Sequence, residues 1–258
     1  MDLGLKGKAV IVMAGSQGLG LATARGFARE GARVTICARS ADGLRQAAAD
    51  IGDCLALQAD VTKAEDIARV VDSAAKAHGA ADILVNNAGG PPPGLFVELD
   101  DGAWAKAVEL TLMSAVRATR LVLPAMQAKG FGRIVNISSF GVKTPVPGLT
   151  LSNSVRMAVL GWAKTLANQV AKDGVTVNTV CPGWTRTDRV TALLGQRADK
   201  EGRAAATIEA EVAASIPMGR MGTPEEIANM VVFLGSAAAA YVTGAAVQVD
   251  GGAVQAYS

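Results

Sequence analysis

The sequence predicts a single α/β domain built on a doubly wound parallel sheet of seven strands. Seven short, β-branched runs read as continuously apolar rather than alternating, and Ala-rich helical stretches separate most of them. A strand apolar on both faces must be covered on both faces, which is what helices packed on either side of a parallel sheet provide. The composition agrees: 258 residues, 50% hydrophobic and 19% charged, are enough to bury one large core over 1–258 and exclude disorder.

In order, the expected strands are Ala9–Met13, Arg33–Cys37, Leu55–Gln58, Ile83–Val85, Arg133–Ile137, Val175–Val180 and Ala246–Val249. Lys6 and Lys8 precede an apolar run that ends within a few residues at Gly15, which is too short for a signal peptide. The stretch from Ile227 to Val249 carries no charge and is long enough to span a bilayer. Gly235-Ser236 and Thr243-Gly244 nevertheless divide it into a helix, a turn and a β-type run, so no membrane span is expected and the chain is expected in the cytoplasm. A formal net charge of +2 offers no field for nucleic acid or acidic lipid, leaving small molecules or further copies of the chain as partners. Cys37, Cys54 and Cys181 are odd in number and far apart, without metal-ligand spacing, so neither a disulfide framework nor a metal site is expected.

Ligands of a doubly wound sheet bind beyond the carboxyl ends of its strands. The first such loop is Gly15-Ser16-Gln17-Gly18-Leu19-Gly20, between a strand and a helix starting near Leu19. Glycines let the backbone approach a pyrophosphate, and the helix N-terminus supplies free N–H groups and partial positive charge. After the second strand, the place of a ribose-binding carboxylate is held by Ala38, followed by Arg39 and Ser40. A guanidinium there suits a 2′-phosphate, so NADP(H) is expected in preference to NAD(H). After the third strand, the Asp60 carboxylate of Asp60-Val61-Thr62 is placed either to accept from an adenine amino group or to cap the helix beginning near Lys63.

Several further motifs carry a family resemblance. Asn86-Asn87-Ala88-Gly89, the run Gly132–Ser139, Asn178 followed by Pro182-Gly183 and Thr187, and the ending Tyr241–Gly244 to Asp250–Gly252 together resemble the short-chain dehydrogenase/reductase family, over about residues 5–252. In order and spacing the chain most resembles the 3-oxoacyl-acyl carrier protein reductase branch, and in Gly89–Pro93 and Ser152–Arg156 a divergent subgroup of it. The resemblance implies a Rossmann-type dinucleotide fold and an NADP(H)-dependent carbonyl/hydroxyl oxidoreductase. It lays the cofactor along Asn87, Ala88, Gly89, Arg156, Pro182, Gly183, Thr185 and Thr187, and it implies a homotetramer. The charge-free ending Val242–Val249 is also expected to be buried, with the helix surfaces around 104–123 and 155–170.

In that family a Ser binds the substrate carbonyl, a Tyr donates the proton, a Lys four residues on holds the ribose, and an Asn anchors a water relay. Here Ser139 stands in the Ser position, but the Tyr and Lys positions hold Ser152 and Arg156, and the Asn position holds Thr111. Ala14 and Met13 replace the first glycine of the loop and the Thr before it, and the only tyrosines are Tyr241 and Tyr257. A serine hydroxyl is a far weaker acid than a phenol, and an arginine stays protonated, so Arg156 is expected to bind rather than relay. Lys143, four residues beyond Ser139, is the best alternative acid. Lys164 is expected to lie outside the site, and His78 to pair with the last carbonyls of its helix. Residues 188–217 mix charges with Leu193, Leu194, Ile208 and Val212 at helical intervals and resemble the family's substrate lid. Three functions stay open: a reductase with a substituted proton donor, a non-redox enzyme using Ser139 and Lys143, and a nucleotide-binding protein without catalysis.

Overall fold

The computed structural model describes residues 2–255. All seven expected strands form: β1 (Ala9–Val12), β2 (Arg33–Ala38), β3 (Cys54–Gln58), β4 (Ile83–Asn86), β5 (Gly132–Ile137), β6 (Val175–Pro182) and β7 (Ala246–Val249). They make one sheet in the order β3-β2-β1-β4-β5-β6-β7, every pairing parallel. The order reverses between β1 and β4, so the crevice of a doubly wound sheet opens above the ends of those two strands. Strand β6 runs two residues beyond expectation, and Pro182 pairs in register with Val249.

Helices α1 (Gly18–Arg29), α2 (Ala41–Ile51) and α9 (Pro224–Leu234) cover one face, where Phe27, Leu44, Ile227 and Val231 meet Val10, Ile36 and Val135. Helices α3 (Ala64–His78), α5 (Ser114–Lys129) and α6 (Thr150–Val170) cover the other, with Ile67, Val122, Met126 and Leu166 against Ile11, Leu84 and Ile134. Strands β1, β4, β5 and β6 are buried along their whole length and β2 all but Arg33, whereas the edge strands β3 and β7 are only half-buried. Helix α4 (Asp101–Val108) continues into α5 through a π-turn at Glu109–Met113, where the Ser114 hydroxyl donates to the Leu110 carbonyl at 2.6 Å. Such turns re-aim side chains, and this one leaves Thr111 buried beneath the crevice.

Residues 188–217 fold as a helical hairpin, α7 (Asp188–Glu201) and α8 (Ala205–Ala214), with a small core of its own formed by Leu194, Ala198, Ile208, Val212 and Ile216. Leu193 is directed elsewhere, into the cleft beneath α7. The charge-free stretch 227–249 divides as expected into α9, a short 3-10 turn at Ala237–Ala239 and β7. Among the described residues no helix is long and apolar enough to cross a membrane.

Candidate active site

The loop after β1 is a tight cradle. Gly15 N–H donates to the Cys37 carbonyl at 2.9 Å, and a Cβ on Gly15 would lie 2.9 Å from the Ile36 methyl. A Cβ on Gly20 would lie 2.6 Å from both the Ala14 carbonyl oxygen and Asn87 Nδ2. Helix α1 begins at Gly18, and Gln17 before it makes no side-chain cap, so the first-turn N–H groups face the crevice with Ser16 and Leu19 beside them. Asn87 ties the cradle to β4 by donating to the carbonyls of Met13 and Ala14, both at 3.1 Å. Ala88 borders the cavity below, and a Cβ on Gly89 would meet nothing within 4 Å. This shape fits a dinucleotide: uncapped amides, close backbone and an open face.

After β2 Arg39 is exposed and its side chain makes no hydrogen bond among the described residues, whereas Ser40 caps α2 by accepting from Gly43 N–H at 3.1 Å. Asp60 corrects one expectation. Its carboxylate does not cap α3, which starts at Ala64; it accepts from the Thr62 N–H at 2.9 Å and the Thr62 hydroxyl at 2.8 Å. Those bonds, with Arg39 and Lys63 nearby, hold it below the ordinary carboxylate range. Val61 is buried in the core, and Asp66 accepts from Asp60 N–H at 2.8 Å. His78 also departs from expectation: its Nε2 is buried without a partner instead of pairing with helix carbonyls. Lys164, as expected, lies outside the site, donating to the Gly244 carbonyl at 3.0 Å.

The segment after β6 closes the crevice from the other side. Gly183 N–H donates to the Val249 carbonyl at 2.9 Å, and the buried Thr185 hydroxyl donates to the Gly183 carbonyl at 3.1 Å. Thr187 caps α7, and its methyl would lie 3.6 Å from a Cβ on Gly18. Ser139 starts a short turn, accepting from Gly141 N–H at 3.1 Å. Arg156, half-buried on α6, donates through Nε to Ser152 Oγ at 3.2 Å and through Nη1 to the Ile137 carbonyl at 3.1 Å. It thus joins Ser152 to the strand end that carries Ser139. Burial, with the charge of Arg189, pulls the Arg156 guanidinium down to about 10, so it stays cationic at neutral pH. Behind it lies a small cavity of about 20 Å³, lined by Asn86, Thr111, Asn136 and Ser138. Asn86 donates to Asn136 Oδ1 at 2.9 Å, while Asn86 Oδ1, Thr111 Oγ1 and Ser138 Oγ have no partner. Lys143 is half-buried beside Cys181, whose thiol burial pushes up to about 11 although Lys143 and Arg156 oppose the shift.

The sequence from 13 to 254 matches the family described as enoyl-(acyl carrier protein) reductase, one division of the short-chain reductases. The chain belongs to the short-chain dehydrogenase/reductase family. It is 36% identical over 251 residues to the 3-oxoacyl-acyl-carrier-protein reductase of Vibrio cholerae, covering 97% of this chain and 98% of that one. Among solved structures, the L-sorbose reductase of Gluconobacter frateurii, complexed with NADPH and L-sorbose, superposes with a TM-score of 0.94 at 36% identity over 99% of this chain and 100% of that one. The actinorhodin polyketide ketoreductase with NADPH gives 0.93 at 34% identity over 96% and 98%. The protein is therefore an oxidoreductase of the short-chain type, as its motifs imply.

Within this short-chain reductase the sequence reading missed one residue of the cleft. Arg189, in the first turn of α7, reaches across the crevice and donates through Nη2 to the Pro91 carbonyl at 2.7 Å. A Cβ on Gly90 would strike its guanidinium at 2.5 Å, so Gly90 is what lets the arginine lie flat on the loop. The available signal was helical spacing: Leu193, Gln196 and Lys200, which line the cleft beneath α7, follow Arg189 at intervals of one, two and three turns.

Proposed function

We propose that this protein reduces the carbonyl of a small-molecule substrate with NADPH, using a centre in which a serine–arginine pair stands where the family has tyrosine and lysine. The observation that carries this is the bond from Arg156 Nε to Ser152 Oγ. A hydroxyl that accepts from a guanidinium keeps its own proton free to donate, and the cation makes it a stronger donor. Ser152 and Ser139 then hold the substrate oxygen and stabilise the charge that develops there, with Arg156 as the fixed cation behind. NADPH, when bound, supplies the hydride to the carbonyl carbon. The proton comes from Lys143 or from water held by the hydroxyls, because a serine is too weak an acid to give it up.

Cofactor placement follows the cradle. Gly15 to Gly20 take the pyrophosphate at the α1 N-terminus, and Arg39 with Ser40 takes a 2′-phosphate, giving NADP(H) preference over NAD(H). Asp60 and Val61 border the adenine, and Asn87 to Gly89, Arg156 and the 182–187 segment border the nicotinamide half. The hairpin 188–217 is the lid that excludes water. The working protein is a cytoplasmic homotetramer, with the exposed Leu121 and Met157 covered between copies.

The test is direct. Purified protein is titrated with NADPH by calorimetry and assayed for NADPH oxidation with 3-oxoacyl thioesters and small diketones. Binding with turnover supports the proposal; binding without turnover on any of them favours a non-redox enzyme or a catalytically silent nucleotide-binding protein.

A further inference from the structure

Three cations beside the cleft, Lys143, Arg156 and Arg189, form no ion pair among the described residues, although eight other arginines and two other lysines do. Asp250, whose charge reaches Cys181 beside them, is committed to the backbone, accepting from Gly252 N–H at 3.0 Å and Val254 N–H at 2.9 Å. Arg156 spends Nε and Nη1 on the protein and keeps Nη2 unpaired, and Arg189 spends only Nη2. Burial lowers both guanidiniums, and Arg189 lowers Arg156 further, which is the mark of charge left uncompensated. Beyond Arg189 a cleft of about 570 Å³ presents Val146, Leu149, Trp184 and Leu193, and the two acids on its wall are already engaged, Glu98 accepting from Leu95 N–H and Glu201 paired with Arg197 and Arg203.

We infer that the substrate is an amphipathic oxo acid, its carboxylate held between Arg156 and Arg189 and its apolar chain laid along Val146, Leu149, Trp184 and Leu193. An arginine fork matches a carboxylate in two parallel bonds, and two uncompensated forks facing one cleft favour an anion over its neutral analogue. The oxo group is assigned on the reductase reading; the carboxylate site is not, and it is tested without turnover.

The full chain, saturated with NADP⁺ so that the cofactor's own anion sites are filled, is titrated by calorimetry with octanoate and with octanamide. Charge-assisted bonds are worth about 1.5–3 kcal/mol, so octanoate is expected to bind at least about tenfold more tightly. Arg189→Gln removes most of that difference and leaves octanamide unchanged, whereas Arg189→Lys, which keeps the charge, retains part of it. A melting curve establishes that each variant is folded, and the wild-type contrast between the two probes stands without any variant. Equal binding of the two probes, binding of neither, or full octanoate affinity in folded Arg189→Gln overturns the inference. Failure of the reductase reading is read separately, as absence of NADPH oxidation with 3-oxooctanoate by protein that still prefers octanoate.

Discussion

Asn87 holds the carbonyl of Ala14 at 3.1 Å while Ala14 itself sits at φ 48°, the only residue other than glycine with positive φ among the described residues. The left-handed conformation brings Cβ against the following carbonyl, at a cost of about 1–2 kcal/mol for an ordinary residue. Asn87, bonded to two consecutive carbonyls, fixes the loop in this shape. Ala14→Gly should therefore raise stability in urea unfolding by about 0.5–1 kcal/mol, the gain being reduced by the greater freedom of glycine in the unfolded chain. Gly20→Ala should act oppositely, losing about 1–3 kcal/mol, because its methyl has no room between Ala14 and Asn87. An unchanged midpoint in Ala14→Gly would show that the loop carries no strain.

Arg39 is the residue to which the proposed cofactor preference is assigned. It is exposed, its side chain is unpaired among the described residues, and the position before it, Ala38, has no carboxylate to repel a phosphate. Arg39→Ala should lower NADPH affinity at least about tenfold and leave NADH affinity unchanged, the size expected for hydrogen bonds to a charged group. Calorimetric titration of both cofactors against wild type and variant reads the effect. Equal affinity of wild type for the two cofactors would remove the basis for the preference.

The sheet was legible because strands buried on both faces leave long apolar runs, and turn residues bracket them; the bounds moved by two residues at most, as at Pro182. The tight loop after β1 was legible because close backbone approach leaves glycine as its trace. What stayed hidden depends on partners distant in sequence. Asp60 offered a cap or a ligand role, and only the position of Thr62 shows a turn bond. The π-turn at Thr111 has no residue signature, and Arg189 was one charge among many until the hairpin set it over Gly90. Tyr257 lies outside the described residues.

Glu226 gives a pH dependence. It closes a capping box with Thr223 at the start of α9 and accepts from Arg220, and these bonds depress its carboxyl from 4.5 to about 2. A carboxyl depressed in the folded state stabilises above its unfolded pKa and loses that contribution as pH falls through the folded one. Wild type should therefore melt above Glu226→Gln at neutral pH, with the gap narrowing from about pH 4.5 and closing near pH 2. A gap independent of pH would mean that the charge plays no part.

Leu121 on α5 and Met157 on α6 are 44% and 48% exposed in the single chain, on the two helix surfaces expected to be covered by further copies. Light scattering at micromolar concentration should give four times the chain mass. Leu121→Glu with Met157→Glu should shift it to a smaller species, since unpaired charges in an apolar interface are costly. A monomer mass for wild type would refute the tetramer.

The altered centre poses the sharpest question: whether Ser152 and Arg156 weaken a reductase or solve the same task differently. Arg156 bonds to Ser152 Oγ at 3.2 Å and to the Ile137 carbonyl at 3.1 Å, so the cation is already placed beside position 152. Ser152→Tyr with Arg156→Lys installs a phenol and an ammonium to lower its pKa together. General acid catalysis contributes about 10²–10⁴-fold, so reduction of a generic ketone should rise measurably in the double variant. Each single change should give less, because the phenol needs the cation and the cation has no acid to activate without the phenol. Lys143→Ala then identifies the present proton source. A loss of wild-type turnover, absent from the double variant, assigns the proton to Lys143; undiminished turnover assigns it to bound water. A double variant that binds NADPH and stays inactive would mean that position 152 does not face the reacting carbonyl, and the serine–arginine reading would fall with it.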